Sequence, residues 1–434
     1  MLEKLFKLKA NNTNIRTEII AGCTTFLAMA YILFINPNIL SDPNGAAMDH
    51  IAIFVATCLA ACIGSLLMGL IANYPLALAP GMGLNVFFSY TVVHSMGYDW
   101  RIALGAVFIS ASLFFILSIF KIREWIINSI PLALRSAIAA GIGLFLALIG
   151  LQKAGIIIAN SATLVSLGDL TKPEPILAVI GFFILIALEA RKVSGAVIIS
   201  VLLVSIISIL LGITPFRGII APPPSLAPTF LQLDIIGALN IGMVSVIFSF
   251  LFVDLFDNSG TLIGVAKKAG LMRADGYLPR MGKVLIADSA AAMSGSLLGT
   301  STTTSFVEST AGVAAGGKTG LTACVVAILF LLALFFSPLA ESIPLFATAP
   351  ALIFVAILMS SGLAEIDWGD LTTATPVLIT AIAMPFTYSI ANGIAFGFIS
   401  WTVIKLITGR TKEVNSALIV LSILFILKFA FLNE

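Results

Sequence analysis

Midway along the chain, the stretch Phe252-Val253-Asp254-Leu255-Phe256-Asp257-Asn258-Ser259-Gly260-Thr261 places two carboxylates and several hydrogen-bonding side chains inside an apolar run. Asp254, Asn258 and Thr261 follow at i, i+4 and i+7, so on a helix they share one face, with Asp257 beside them. A further acidic residue, Glu308, follows the hydroxyl-rich run Thr300-Ser301-Thr302-Thr303-Thr304-Ser305. Carboxylates in apolar surroundings can accept hydrogen bonds from a ligand rich in N–H groups, and they can take up and release a proton as desolvation disfavours their charged form. Of the two on the first stretch, Asp254 is the better candidate, since Asp257 could simply cap a broken helix or bond a neighbouring hydroxyl.

Enzymatic chemistry finds little support. The sequence holds no His-Glu-x-x-His, no Gly-x-Ser-x-Gly and no phosphate-binding Gly-rich Lys-Ser/Thr loop. An intramembrane hydrolase of the two-aspartate kind needs facing carboxylates from different helices, whereas Asp254 and Asp257 share one; that reading is kept as a remote alternative. Cys23, Cys58, Cys62 and Cys324 all lie in apolar runs without metal-ligand or disulfide spacing, so they are expected to be packing residues, and neither metal nor cofactor is expected. His50 and His94 are expected in solvated outer loops.

The elements that position these groups follow from composition. The chain has 434 residues, 59% hydrophobic and only 10% charged, against roughly 45–50% apolar in a soluble domain, which excludes a soluble globular fold. A spanning helix takes about 20 apolar residues, leaving room for on the order of a dozen spans and no sizeable extramembrane domain. The net charge of +2 with no dense basic patch argues against nucleic acid; the partner at every span is the lipid bilayer. The polar, basic stretch Met1 to Thr17 is followed by an apolar run without a small-residue cleavage pattern, so no removable leader is expected.

Apolar runs bounded by charge, Pro or Gly fall at 18–36, 51–72, 77–93, 102–120, 128–150, 175–189 and 193–212, then at 236–265, 285–299, 303–316, 319–337, 344–362, 372–388, 389–408 and 415–431. With the N-terminus in the cytoplasm, eighteen Lys and Arg residues fall inside, among them Lys4, Lys7, Lys9, Arg16, Lys121, Arg123, Arg135, Lys318 and Lys405. Only Arg101, Lys153, Lys172 and Arg217 fall outside, and Lys428 lies within the last run. Because one missed span would invert everything after it, this bias supports the spans as well as their direction. The chain is expected to be a multi-pass protein of the cell (inner) membrane.

Two runs look like broken helices, each the third of its half. One carries Ala79-Pro80-Gly81-Met82-Gly83-Leu84-Asn85 and the other Gly299 to Thr310. Irregular backbone inside a bilayer is tolerated only against protein or a water-filled cavity, and a matched pair of interrupted segments points to a transporter site. An odd number of spans in each half would make the two halves inverted repeats.

On these residues the chain resembles the nucleobase–cation symporter-2 family, in its adenine/guanine/hypoxanthine permease branch, the AzgA-like proteins. The resemblance runs nearly end to end through Arg16 to Gly22, Ala79 to Asn85, Asp254 to Thr261, Thr300 to Gly312 and Ala315 to Ala323. It implies an all-α polytopic membrane protein with 14 transmembrane segments in two inverted seven-helix repeats, and with segments 3 and 10 broken. Residues 1–127 and 236–340 would form a core domain (segments 1–4 and 8–11). Residues 128–235 and 341–434 would form a gate domain (segments 5–7 and 12–14), with a C-terminal apolar helix. It further implies secondary active import of purine nucleobases by symport with H+, and a homodimer through the gate domains. The family's two substrate-holding carboxylates fall on Asp254 and Glu308. The run 415–431, interrupted by Lys428, departs from a 14-span plan and is expected to lie along the membrane or against the gate domain.

A purine is planar, uncharged and rich in N–H donors, cargo that suits a buried carboxylate. Glu308 is expected to accept the ring N–H groups, with Asp254 and Asn258 completing the polar contacts and Asp254 and Asp257 serving proton coupling. Backbone near Gly83 and Asn85 and at Thr303, Thr304 and Ser305 would add donors. Phe87, Phe252 or Phe306 could stack on the ring. The alternative, an anion transporter of the related sulfate-transporter fold, would not be expected to face its ligand with carboxylates.

Overall fold

The computed structural model describes residues 2–120, 129–271 and 278–431, and of 241, 256, 257, 259, 260, 263, 264, 267, 268 and 431 only the backbone. The expected domain boundary at residues 127 and 128, and the inside cations Lys121, Arg123 and Arg273, lie outside the described residues.

The described residues are mostly helical. A short α1 (Leu2–Phe6) precedes α2 (Ile15–Met29) and α3 (Ile32–Leu40), which follow one another across a break at Ala30 and Tyr31. Next come α4 (His50–Leu67), the strand β1 (Leu78–Pro80), α5 (Met82–Val86) running into a π-helical stretch Phe87–Ser95, and α6 (Trp100–Ile119). Beyond residue 129 lie α7 (Leu132–Lys153), the hairpin β2 (Ile157–Asn160) and β3 (Leu164–Leu167), α8 (Pro173–Ala190) and α9 (Ala196–Leu210). The second half runs α10 (Ile235–Ala238), α11 (Ile241–Lys268), α12 (Met281–Leu298), β4 (Thr303–Ser305), α13 (Ser309–Ala314), α14 (Gly320–Ala333) and α15 (Ser337–Glu341). It closes with α16 (Leu345–Ser360), α17 (Leu371–Thr387), α18 (Ile390–Ile407) and α19 (Ser416–Phe431). The hairpin β2–β3 has no counterpart in the sequence reading, and α12 begins four residues before the expected run.

Among the described residues, eight helical stretches are long and apolar enough to cross a membrane, and four shorter apolar helices accompany them. Their starts are set by polar caps at the run boundaries. Asn14 accepts from the Thr17 amide, Asp49 from Ala52, Asp99 from Arg101 and Asp370 from Thr372. These caps hold backbone donors that a first helical turn cannot satisfy internally.

The helices sort into two packing groups. In the first, α2, α4, α6, α12 and α14 lie against one another, with α11 beside α6 and α13 beside α2. In the second, α7 packs on α16 and α17, α17 on α18, and α8 on α9 and α16. The last helix, α19, lies along α18: the Ser422 and Thr402 hydroxyls meet at 2.8 Å, and Phe425 stands 6.0 Å from the ring of Phe398.

Small residues and one buried acid tie the first group together. Gly69 and Gly320 bring two backbones so close that a Cβ on Gly320 would sit 1.9 Å from the Gly69 carbonyl oxygen. Beside them Glu18, with no exposed surface, accepts from the amides of Lys318, Thr319 and Thr322 at 3.0, 3.3 and 3.2 Å and from the Thr322 hydroxyl at 2.6 Å. A carboxylate on α2 thus caps α14, which accounts for the polar pattern of the segments Arg16 to Gly22 and Ala315 to Ala323.

Both expected helix breaks are present, and they meet. β1 and β4 pair antiparallel with Leu78 opposite Ser305, Ala79 opposite Thr304 and Pro80 opposite Thr303. The pairing continues through Gly81 N to Thr302 O at 2.9 Å and Phe306 N to Ala77 O at 3.0 Å. Backbone groups the short ladder leaves over are met by side chains: the Ser65 hydroxyl bonds both N and O of Leu78, and the Ser309 hydroxyl accepts from Ala77 N. Extended backbone is therefore sustained in the middle of the bundle by internal partners.

Candidate functional site: a cavity at the crossed strands

A cavity of about 380 Å³ begins where the two broken segments pair. Its inner end is lined by Gly81, Gly83, Thr304, Ser305, Phe306 and Glu308 of the first packing group; Ile142 and Leu146 of α7 and Val355 of α16 form the facing wall. It extends to the end of the bundle where α7 starts and α16 finishes, lined there by Arg135, Ser361 and Glu365. The volume lies at the lower end of the about 300–1,000 Å³ common for small-molecule pockets. Its wall is mostly apolar with a few converging polar groups, which suits a compact, flat, uncharged molecule.

Glu308 is the acid at the inner end of this cavity. It directly precedes the first residue of α13, so β4 and the turn after it carry its side chain to the cavity wall. The hydroxyl of Tyr31, a fully buried residue at the break between α2 and α3, donates to Glu308 Oε1. Ser305 lines the same wall, and its buried hydroxyl has no hydrogen-bond partner within the protein. A carboxylate and a hydroxyl without an internal partner, beside the ring of Phe306, can accept and donate to the edge of a bound heterocycle.

The stripe on α11 sits deeper. Asp254 and Asn258 are buried, while Thr261, one turn further on, reaches the cavity wall. Asn258 donates from Nδ2 to a carboxylate oxygen of Asp288 on α12, and its Oδ1 is buried without a partner. Asp257 lies on the same helix, but its side chain falls outside the described residues. Asp288 went unrecognised in the sequence, although an acid amid the small apolar residues of Ala287 to Ala292 carries the same signal as Asp254. Tyr31 was likewise missed; its trace is a single hydroxyl-bearing ring in the apolar run Leu27 to Ile35.

Several expected contributors stand elsewhere. Phe87 packs edge-on against Phe250 at 5.0 Å, and Phe252 lies 4.3 Å from Phe248 and 5.6 Å from Phe425 of α19; both are buried and neither lines the cavity. Aromatic contacts within the bundle claim both rings, which leaves Phe306 as the candidate ring at the wall. Asn85 faces inward as well: Nδ2 donates to Asn36 Oδ1 and the Ser301 hydroxyl donates to Asn85 Oδ1. Asn36 in turn reaches Thr57 at 2.7 Å and Thr300 at 2.9 Å, so this network holds the backs of both broken segments. Thr303 is also turned away from the cavity, its hydroxyl buried without a partner in the direction of Gly295. His50, expected in solvent, is half-buried with Nε2 3.1 Å from Asn38 Oδ1, because it opens α4 and does not stand in the preceding loop.

A model described as the Permease family matches residues 16–396. The chain belongs to the nucleobase–cation symporter-2 family of permeases. It is a membrane transporter and not an enzyme. This permease is 49% identical to the adenine permease AdeP of Escherichia coli (strain K12), over 100% of this chain and 97% of that one. To the guanine/hypoxanthine permease PbuG of Bacillus subtilis (strain 168) it is 46% identical, with both chains covered in full.

Among solved structures, the transmembrane domain of the cyanobacterial bicarbonate transporter BicA superposes with a TM-score of 0.68 at 17% identity, covering 88% of this permease and 97% of that chain. At that identity the likeness concerns fold alone.

Proposed function

We propose that this permease imports purine nucleobases, with hypoxanthine and guanine the leading substrates and adenine a further one, by symport with a proton across the cell (inner) membrane. The observation that carries this reading is the Glu308 carboxylate at the wall of a compact, largely apolar cavity, in a chain whose full-length relatives include adenine and guanine/hypoxanthine permeases. Glu308 accepts the N–H groups of the base, Ser305 and Thr304 meet its remaining polar edge, and Phe306 covers one face. A carboxylate suits this cargo because it has only acceptors to offer, where an anion would call for donors and a cation.

The reading takes the structure as 14 spans in two inverted repeats, with α15 continuing the span of α14 and α19 as an additional helix. The first packing group is then the core domain and the second the gate domain, whose outer faces pair two copies in a homodimer. The N-terminus is cytoplasmic, so the cavity opens inward. Asp254 loads a proton from outside, carries it with the base and releases it inside, with Asp257 beside it.

Two measurements test the proposal. A panel of unlabelled nucleobases competing with radiolabelled hypoxanthine uptake should show inhibition by purines and none by pyrimidines or bicarbonate. In reconstituted vesicles, inward uptake of the neutral base should be electrogenic and abolished by a protonophore. Accumulation that follows a sodium gradient with protonophore present would refute proton coupling.

A further inference from the structure

At the end of the bundle opposite the cavity mouth, a buried ion pair joins the two packing groups. Asp42, just beyond α3, bonds the ammonium of Lys153, the last residue of α7. The carboxylate also accepts from the Tyr90 hydroxyl at 2.7 Å and from the Asn44 amide at 2.9 Å, and its side chain is 2% exposed. The Lys153 ammonium lies 5.2 Å from the centroid of the Tyr90 ring. Around the pair, Tyr388, at the end of α17, sets its ring edge-on to Tyr90 at 6.4 Å and to Phe145 at 5.1 Å. Its carbonyl accepts from the Thr91 hydroxyl at 3.0 Å and its own hydroxyl donates to Gln152 at 3.2 Å. Asp42, Tyr90 and Thr91 belong to the first packing group; Phe145, Gln152, Lys153 and Tyr388 belong to the second.

We propose that Asp42 and Lys153 form the latch of the outer gate, closed while the cavity is open inward and broken when the permease turns outward. Resting on the core-and-gate reading above, the inference adds a contact made in only one of the two states. A ligand or a contact shifts a two-state equilibrium only by its difference between the states, and the Asp42 carboxylate of this pair, with Lys153 half-buried over it, is shielded from water in one and flooded in the other. An ion pair suits such a latch. Its attraction is offset by the cost of keeping both charges dry, so entering water can open it without a large barrier. Removing Lys153 leaves the Asp42 charge buried and alone, and removing Asp42 leaves the half-buried Lys153 ammonium without its counter-charge; either disfavours the closed outer gate. Removing both charges relieves that penalty.

The test uses the full-length permease with its four native cysteines replaced, carrying Ser361→Cys at the cavity mouth, and reads the rate of modification by a membrane-impermeant thiol reagent applied to inside-out vesicles. Lys153→Met and Asp42→Asn should each slow modification about threefold or more, and Asp42→Asn with Lys153→Met should return it towards the parent rate. Tyr90→Phe, which strips one hydrogen bond from Asp42 and strands no charge, should slow it by a smaller factor. Unchanged rates in both single-charge variants that still bind hypoxanthine when purified would overturn the latch, as would a double variant as slow as the singles. Should the single variants fail to bind and Tyr90→Phe leave the rate unchanged, the latch is also overturned. A Ser361→Cys protein modified only from outside intact cells would instead refute the orientation, which separates the two failures.

Discussion

The Tyr31 hydroxyl donates to Oε1 of Glu308, joining the break in the first long helical run to the residue before α13 across 277 positions of sequence. Two of the chain's irregular segments are therefore held at one point, and that point is on the cavity wall. A carboxylate oriented by one partner retains acceptor capacity for a ligand at its second oxygen.

Glu308→Gln should weaken hypoxanthine binding at least about tenfold. The amide replaces part of the acceptor capacity with a donor, and a poorly matched buried group costs about 1–3 kcal/mol. Equilibrium binding to purified protein reads this directly. Glu341→Gln, a half-exposed position 3.9 Å from Arg217, is the control and should bind as the parent does. Equal losses would show that Glu308 has no special place.

Tyr31→Phe removes only the hydroxyl. Hydrogen bonds to a charged group are worth about 1.5–3 kcal/mol, so affinity should fall by roughly tenfold or more with the fold preserved. Parent affinity in this variant would separate the Tyr31 contact from binding.

Gly83→Ala probes the cavity wall. A Cβ there would come within 2.8 Å of Ile142 Cγ2 on α7, so the added methyl presses the first packing group against the second beside the site. Transport should fall sharply, and Ile142→Ala in the same chain should recover a large part of it. Loss without recovery would place the effect in the backbone of α5 and not in the seam.

Acid should loosen the second packing group at a definite place. Lys405 is fully buried, with Glu413 at 2.6 Å and Asp370 at 3.7 Å, and Arg410 reaches Asp370 at 2.6 Å. The Thr372 hydroxyl, followed by Thr373 and Arg410, holds the Asp370 carboxyl well below its usual range. A depressed folded value means that the stabilisation is complete above the unfolded pKa of about 3.9 and is lost as pH falls through the folded one. The melting temperature in detergent should therefore drop below about pH 4, and Asp370→Asn should lower it at neutral pH while flattening that acid limb. An acid limb of unchanged steepness would remove Asp370 from the network's pH response.

Orientation is open to single-cysteine labelling in intact cells. A cysteine at the exposed Ser225, between α9 and α10, should react with an impermeant reagent, and one at the exposed Lys318, before α14, should be spared. The reverse pattern would invert the topology.

Much of this architecture is legible one-dimensionally. Apolar runs, the bias of Lys and Arg and the spacing of Asp254, Asn258 and Thr261 are properties of neighbours along the chain, because span length and helical period are local quantities. The same holds for the breaks at Pro80-Gly81 and at Thr300 to Ser305, where residue types alone interrupt a helix. What those breaks do to each other is not local. Leu78 finds Ser305, Asn85 finds Asn36 and Ser301, and Asn258 finds Asp288 only once the bundle closes. Phe87 and Phe252 carry the same chemistry as Phe306, yet rings elsewhere in the bundle take up the first two and the third is left at the cavity wall. Which polar side chain is spent on holding backbone and which faces a ligand depends on what packs across from it, and that neighbour lies tens to hundreds of residues away.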